Sequence, residues 1–125
     1  MELSCKQKLS TEDILWVLTR TNICHLGMAE ENRPYVIPMF YTYCVTDLQV
    51  TFHLISHCQG LKMRCLCNNP FVCIQITIPV KGGYASVNAC GLATTHCVGV
   101  DDHYNRRDEI DICTTDLSGI FYPVC

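Results

Sequence analysis

Between Phe52 and Pro70 the chain reads FHLISHCQGLKMRCLCNNP, and this stretch constrains the fold more than any other. It spells the end of a strand, a polar loop, a glycine and a short helix with Lys62 and Arg64 in its first turns. Asn68-Asn69-Pro70 closes that helix, and a strand-like run from Phe71 to Pro79 follows at once. A helix entered from Gly60 presents unpaired backbone N–H groups and the positive end of its dipole. With Lys62 one turn in, the corner suits a phosphate. The rest of the chain reads as sheet built around it.

The bulk composition narrows the possibilities. At 125 residues the chain is expected to form one domain, residues 1–125, around a single core. Hydrophobic residues make up 49% and charged residues only 17%, which fits a subunit that buries surface against a partner. The net charge of −3 with scattered basic residues argues against nucleic-acid binding. No apolar run approaches the roughly 18 residues of a membrane span, and Met1-Glu2-Leu3-Ser4 lacks the basic-then-apolar order of an export signal. A cytoplasmic location is therefore expected. The 11 cysteines are an odd number without an export signal, and are read as reduced small hydrophobes. A zinc site would have to draw on His57, Cys58, Cys65 and Cys67, but these lack the usual ligand spacing, so no metal is expected.

Taken in order, Leu9 to Thr19 is a helix. Ser10 can cap it, Asp13 completes a capping-box pattern, and Leu9 with Ile14 fits a hydrophobic staple. Ile14, Leu15, Val17 and Leu18 form its apolar face, and Trp16 lies off it. Ile23 to Met28 is a strand, Glu30 to Arg33 a turn, and Pro34 to Val45 a strand rich in β-branched and aromatic residues. Pro38 cannot donate to a ladder, so that strand is an edge or carries a bulge there. Thr46-Asp47 turns into Leu48 to Leu54, completing a hairpin. Phe71 to Ile78 is a central strand, Lys81-Gly82-Gly83 a turn, and Tyr84 to Val100 a long strand with Gly91 and Gly99 as kinks. The charged segment Asp101 to Ile112 reads as a helix with Ile110 inward, and the tail Cys113 to Cys125 as a short strand or loop. The sum is a mainly β fold with a few helices, its five or six antiparallel strands forming a small barrel.

These pieces, in this order, resemble the pyridoxamine-phosphate-oxidase-like split β-barrels, in particular the nitroimidazole-resistance branch. The matching motifs are CHLGM at 24–28, RPYVIPMFYTY at 33–43, FH at 52–53, GLK at 60–62, NNPFVC at 68–73 and YASVNACGLA at 84–93. The resemblance implies an antiparallel split barrel of the FMN-binding type, a homodimer, and FMN held between two subunits. It implies that Lys62 binds the phosphate, assisted by Ser56, His57 and Gly60. It also implies that Val36, Ile37, Pro38, Met39 and Phe40 lie along the isoalloxazine. The family's usual basic residue before the lysine is replaced by Leu61, a role that Arg64 would have to fill. The family's last strand is not legible in Asp116–Cys125.

The ordinary alternatives are plain. Lys62 and Arg64 could be solvated surface residues, His53 a structural hydrogen-bonding group at a strand end, and Tyr41 with Tyr43 core aromatics. No Ser–His–Asp set or paired carboxylates stand out, and catalytic side chains are not identified. The function expected is an FMN-dependent oxidoreductase acting on a small electron-poor molecule such as a nitroaromatic. The alternative is a non-catalytic protein holding flavin or haem on the same barrel.

Overall fold

The computed structural model describes residues 7–47, 49–56, 61–100 and 106–124, with side chains described at all of these except 61–64, 97–98 and 106. The elements are β1 (Gln7–Lys8), α1 (Thr11–Thr19), β2 (Ile23–Glu30), β3 (Arg33–Phe40), β4 (Thr42–Thr46) and β5 (Gln49–Ser56). They continue with α2 (Leu61–Asn68), β6 (Phe71–Val80), β7 (Gly83–Val100) and β8 (Arg106–Pro123). All strands join one antiparallel sheet in the order β3-β2-β6-β7-β8-β5-β4, with β1 beside the far end of β8. The sheet coils on itself without closing.

Period-two alternation explains the curl. In β6, Val72, Ile74, Ile76 and Ile78 are buried while Phe71, Cys73, Gln75 and Thr77 are exposed, so one face of the strand is core and the other is not. Leu26, Phe52, Leu54, Val87, Ile110 and Ile112 add their inward faces to the same core. An 18-residue strand would run roughly 60 Å if straight. Bulges between Cys90 and Gly91 and between Cys97 and Gly99 bend β7 along β8 instead.

Helix α1 covers β6 and β7 with Ile14, Val17 and Leu18 buried, while Trp16 stays half exposed. The cap forms as the sequence indicates, Asp13 N donating to Ser10 Oγ at 3.1 Å. Leu9 and Ile14 converge over Gly119, where a Cβ would come within 2.8 Å of Ile14 Cγ1 and 2.9 Å of Leu9 Cδ1. The hairpin turns fall at Glu31-Asn32 and Asp47, each in the left-handed region, and at Gly82.

Four expectations are corrected. The helix expected over 101–112 is absent where it can be seen, because Arg106 onward is strand; residues 101–105, with Asp101 and Asp102, lie outside the described residues. Ile110 and Ile112 alternate with Glu109 and Asp111, a spacing of two that buries both isoleucines on a strand. Of the short strand or loop expected for the tail, the strand is what forms, but it is the end of a long one: β8 runs to Pro123. Among the described residues there are eight strands rather than five or six, partly because the run from Pro34 to Val45 breaks at Tyr41 into β3 and β4. Nor are all the cysteines reduced. Cys73 and Cys90 sit directly opposite each other on β6 and β7 and are joined as a disulfide.

A cleft at the split of the sheet

The two edge strands of the sheet are consecutive in sequence. β3 bonds only to β2, and β4 only to β5, so the chain crosses from one margin to the other at Tyr41. Pro38, opposite His25, is thus on an edge, as its missing N–H requires. β4 begins at Thr42, opposite His53, and Leu54 and Ile55 of β5 run past it without a β4 neighbour. The opening lies between that part of β5 and the outer edge of β3.

Tyr41 secures the crossing. Its hydroxyl lies 2.8 Å from the Leu18 carbonyl oxygen and 2.9 Å from that of Thr21, one proton shared between two acceptors at the end of α1. Its N–H donates to Asn22 O at 2.9 Å. The ring packs edge-on against Phe52, with centroids 5.8 Å apart. Burial raises the Tyr41 hydroxyl to about 12, with Cys24 and Tyr43 adding to the effect. Cys24, buried beneath it, is raised to about 11, chiefly by desolvation.

At the mouth of the split, Asn22, Phe40, Tyr41, Thr42, His53, Ile55 and Glu109 line a cavity of about 340 Å³. His53 Nδ1 is 2.6 Å from Asp111 Oδ1, and its Nε2 is 3.5 Å from Cys44 Sγ. On the other side of β8, His96 Nε2 is 2.9 Å from Glu109 Oε2. This end is therefore rich in carboxylates and unsuited to a phosphate. The other end of the split is different. There β5 leads through 57–60 to α2, whose buried Cys65 and Leu66 anchor it near the Glu30 end of β2.

The residues singled out from the sequence separate accordingly. On β3, Val36 and Phe40 are strongly exposed, 66% and 70%, and share the outward face with exposed Pro38. Ile37 packs on the core and Met39 is buried, so neither offers a side chain to a ligand. Val36 walls two shallow grooves, of about 310 and 340 Å³, together with Gly27 and Cys73. Ser56 ends β5 with its side chain buried, opposite buried Asp108. His57 and Gly60 lie outside the described residues. Lys62 and Arg64 fall in the first turns of α2, but their side chains too lie outside what is described. Trp16 does not line the cavity at the split and carries Arg20, whose guanidinium carbon is 5.5 Å from the ring centroid.

The residues that sequence reasoning missed are His96, Glu109 and Asp111. The alternation Glu109-Ile110-Asp111-Ile112 was the available signal, since it places both carboxylates on one face of a strand.

No protein-family model and no curated protein sequence matches this chain. Solved structures do. An FAD-binding protein from Mesorhizobium loti superposes with a TM-score of 0.75 at 19% identity, over 96% of this chain and 98% of that one. A candidate pyridoxamine 5'-phosphate oxidase from Corynebacterium glutamicum gives 0.70 at 14% identity, over 100% and 98%. A candidate 5-nitroimidazole antibiotic resistance protein from Bacteroides thetaiotaomicron gives 0.68 at 17% identity, over 94% and 88%. The likeness establishes the fold: the chain is a split barrel of the pyridoxamine-phosphate-oxidase-like type. The neighbours include the nitroimidazole-resistance branch to which its motifs pointed.

Proposed function

We propose that the chain binds a flavin, FMN, in the split between β3 and β5, as a homodimer, and serves as an oxidoreductase for a small electron-poor molecule. The observation that carries this reading is the split itself. An edge strand with an outward Val36, Pro38 and Phe40 lines one side, and a β5 end that runs on into α2 bounds the other. A neighbour of the same fold is an FAD-binding protein, which supports a flavin. The phosphate belongs at the α2 end, where the dipole is positive and Lys62 is one turn in, away from Glu109 and Asp111. There Arg64, Ser56, His57 and Gly60 are the candidate supporting groups.

The exposed apolar surface fits a flat ring and a second subunit. Val36, Phe71 and Leu92 stand outward on β3, β6 and β7, and Gly27 leaves the row between Val36 and Cys73 open. The bound flavin would supply the electron or hydride chemistry. The chain's own part is to hold the phosphate, to offer the outer backbone edge of β3 to the ring, and to exclude water with Phe40 and the partner.

The absorbance spectrum of freshly purified protein tests the reading first. Flavin bands support it; a Soret band would favour haem, and a colourless protein that takes up no added FMN overturns it. Lys62→Ala should then weaken FMN binding about 10- to 100-fold, the loss of one charge-assisted contact. Unchanged affinity would remove Lys62 from the phosphate site. Anaerobic reduction by a nicotinamide nucleotide, followed by reoxidation with a nitroaromatic, divides an enzyme from a carrier.

A further inference from the structure

The geometry points to a divalent transition-metal site built from His53, Glu109 and Asp111 at the mouth of the split. One nitrogen or oxygen of each residue lies within 4.8 Å of the others, and all three side chains are partly buried. The register explains why they meet. β8 lies between β5 and β7, with His53 opposite Asp111 on one side and His96 opposite Glu109 on the other. Glu109 and Asp111 are two apart on a strand and so share a face, which holds two like charges together on the same side of the sheet. A cation between them relieves that repulsion, and imidazole nitrogen selects a transition metal over magnesium or calcium. Two of the five histidines in the chain converge on this one pair of carboxylates.

Ligand-to-metal distances near 2.1 Å place tetrahedral ligand atoms about 3.4 Å apart. His53 Nδ1 and Asp111 Oδ1, at 2.6 Å, would open slightly, and Glu109 would swing in. The side chains of His53, Asp111 and Glu109 are 30%, 26% and 27% exposed, so neither motion meets a packed core. His96 is a positioning residue. Its Nε2 is 2.9 Å from Glu109 Oε2 and its Nδ1 is 3.8 Å from Asp111 Oδ2, so it steadies both carboxylates from outside. Three protein ligands leave a coordination position open. His53 and Glu109 also line the cavity of about 340 Å³, so that position faces space for water or a small anionic ligand. The site does not depend on flavin binding.

Cobalt(II) is the probe, because its spectrum reports both geometry and sulfur ligation. Titration of the purified protein should produce d–d bands that saturate at one ion per chain, without thiolate-to-cobalt charge transfer. His53→Ala and Asp111→Ala should abolish those bands, with circular dichroism verifying the fold of each variant. His96→Ala should keep them and weaken binding about 10- to 100-fold. Zinc added to the cobalt form should bleach the bands. The proposal is overturned by no binding at millimolar cobalt, by thiolate charge transfer accompanying the bound ion, or by bands that persist in folded His53→Ala and Asp111→Ala.

Discussion

Replacing Tyr41 by Phe removes a single oxygen at the point where the chain crosses from one edge of the sheet to the other. The ring, its contact with Phe52 and its place in the core remain. What is lost is the proton shared between the Leu18 and Thr21 carbonyls, 2.8 and 2.9 Å away. Leaving such acceptors without their donor costs about 2 kcal/mol at neutral pH. The same hydroxyl supplies a pH signature. Its folded value, about 12, lies above the ordinary tyrosine value of 10.0, so the protonated form is favoured by folding. That stabilisation is complete below pH 10 and disappears as pH rises through 12. Two pKa units correspond to about 3 kcal/mol in all, of which about 1.4 kcal/mol is gone by pH 11.

Urea unfolding, followed through the only tryptophan, Trp16, can be run on both proteins between pH 7 and 11. The wild type should lead by about 2 kcal/mol at pH 7 and by less than half of that at pH 11. Cys24, raised to about 11, titrates in both proteins and drops out of the difference to first order. A gap that is constant with pH, or no gap at pH 7, would refute the assignment of Tyr41 as the buried clasp of the crossing.

Phe52 is fully buried and touches the rings of both Tyr41 and Tyr43, so Phe52→Ala should cost about 3–5 kcal/mol in urea unfolding, against about 1.5 kcal/mol or less for Phe52→Leu. Gly91 sits at the first bulge of β7, where a Cβ would overlap the Cys113 carbonyl oxygen and come within 2.9 Å of Thr114 Cα. Gly91→Val should therefore destabilise by about 2–4 kcal/mol, because backbone, unlike a flexible side chain, cannot yield; a thermal melt within a degree of wild type would contradict that placement.

Local chemistry settled more of this protein than its charge pattern did. Ser10 capping α1, the turns at Asn32, Asp47 and Gly82, the central strand at β6 and the edge position forced on Pro38 all depend on neighbours in sequence, and all were legible there. The motifs that resemble split barrels also indicated the fold, since they preserve turn and edge residues at their spacing. Residues 106–123 went the other way. The charges of Asp101 to Ile112 suggested a helix, but the spacing of Ile110 and Ile112 matches a strand that two neighbours bury, and only the packed sheet reveals those neighbours. Contacts between residues far apart in the chain were equally illegible. Cys73 meets Cys90, and His53 meets Asp111 across 58 positions, through register, which is set by the whole ladder rather than by either residue. The sequence alone therefore determined most of the strand segments between Ile23 and Val100; tertiary structure decided the strand over 106–123 and which outward faces came together, because side chains on a sheet acquire partners only when the strands beside them are chosen.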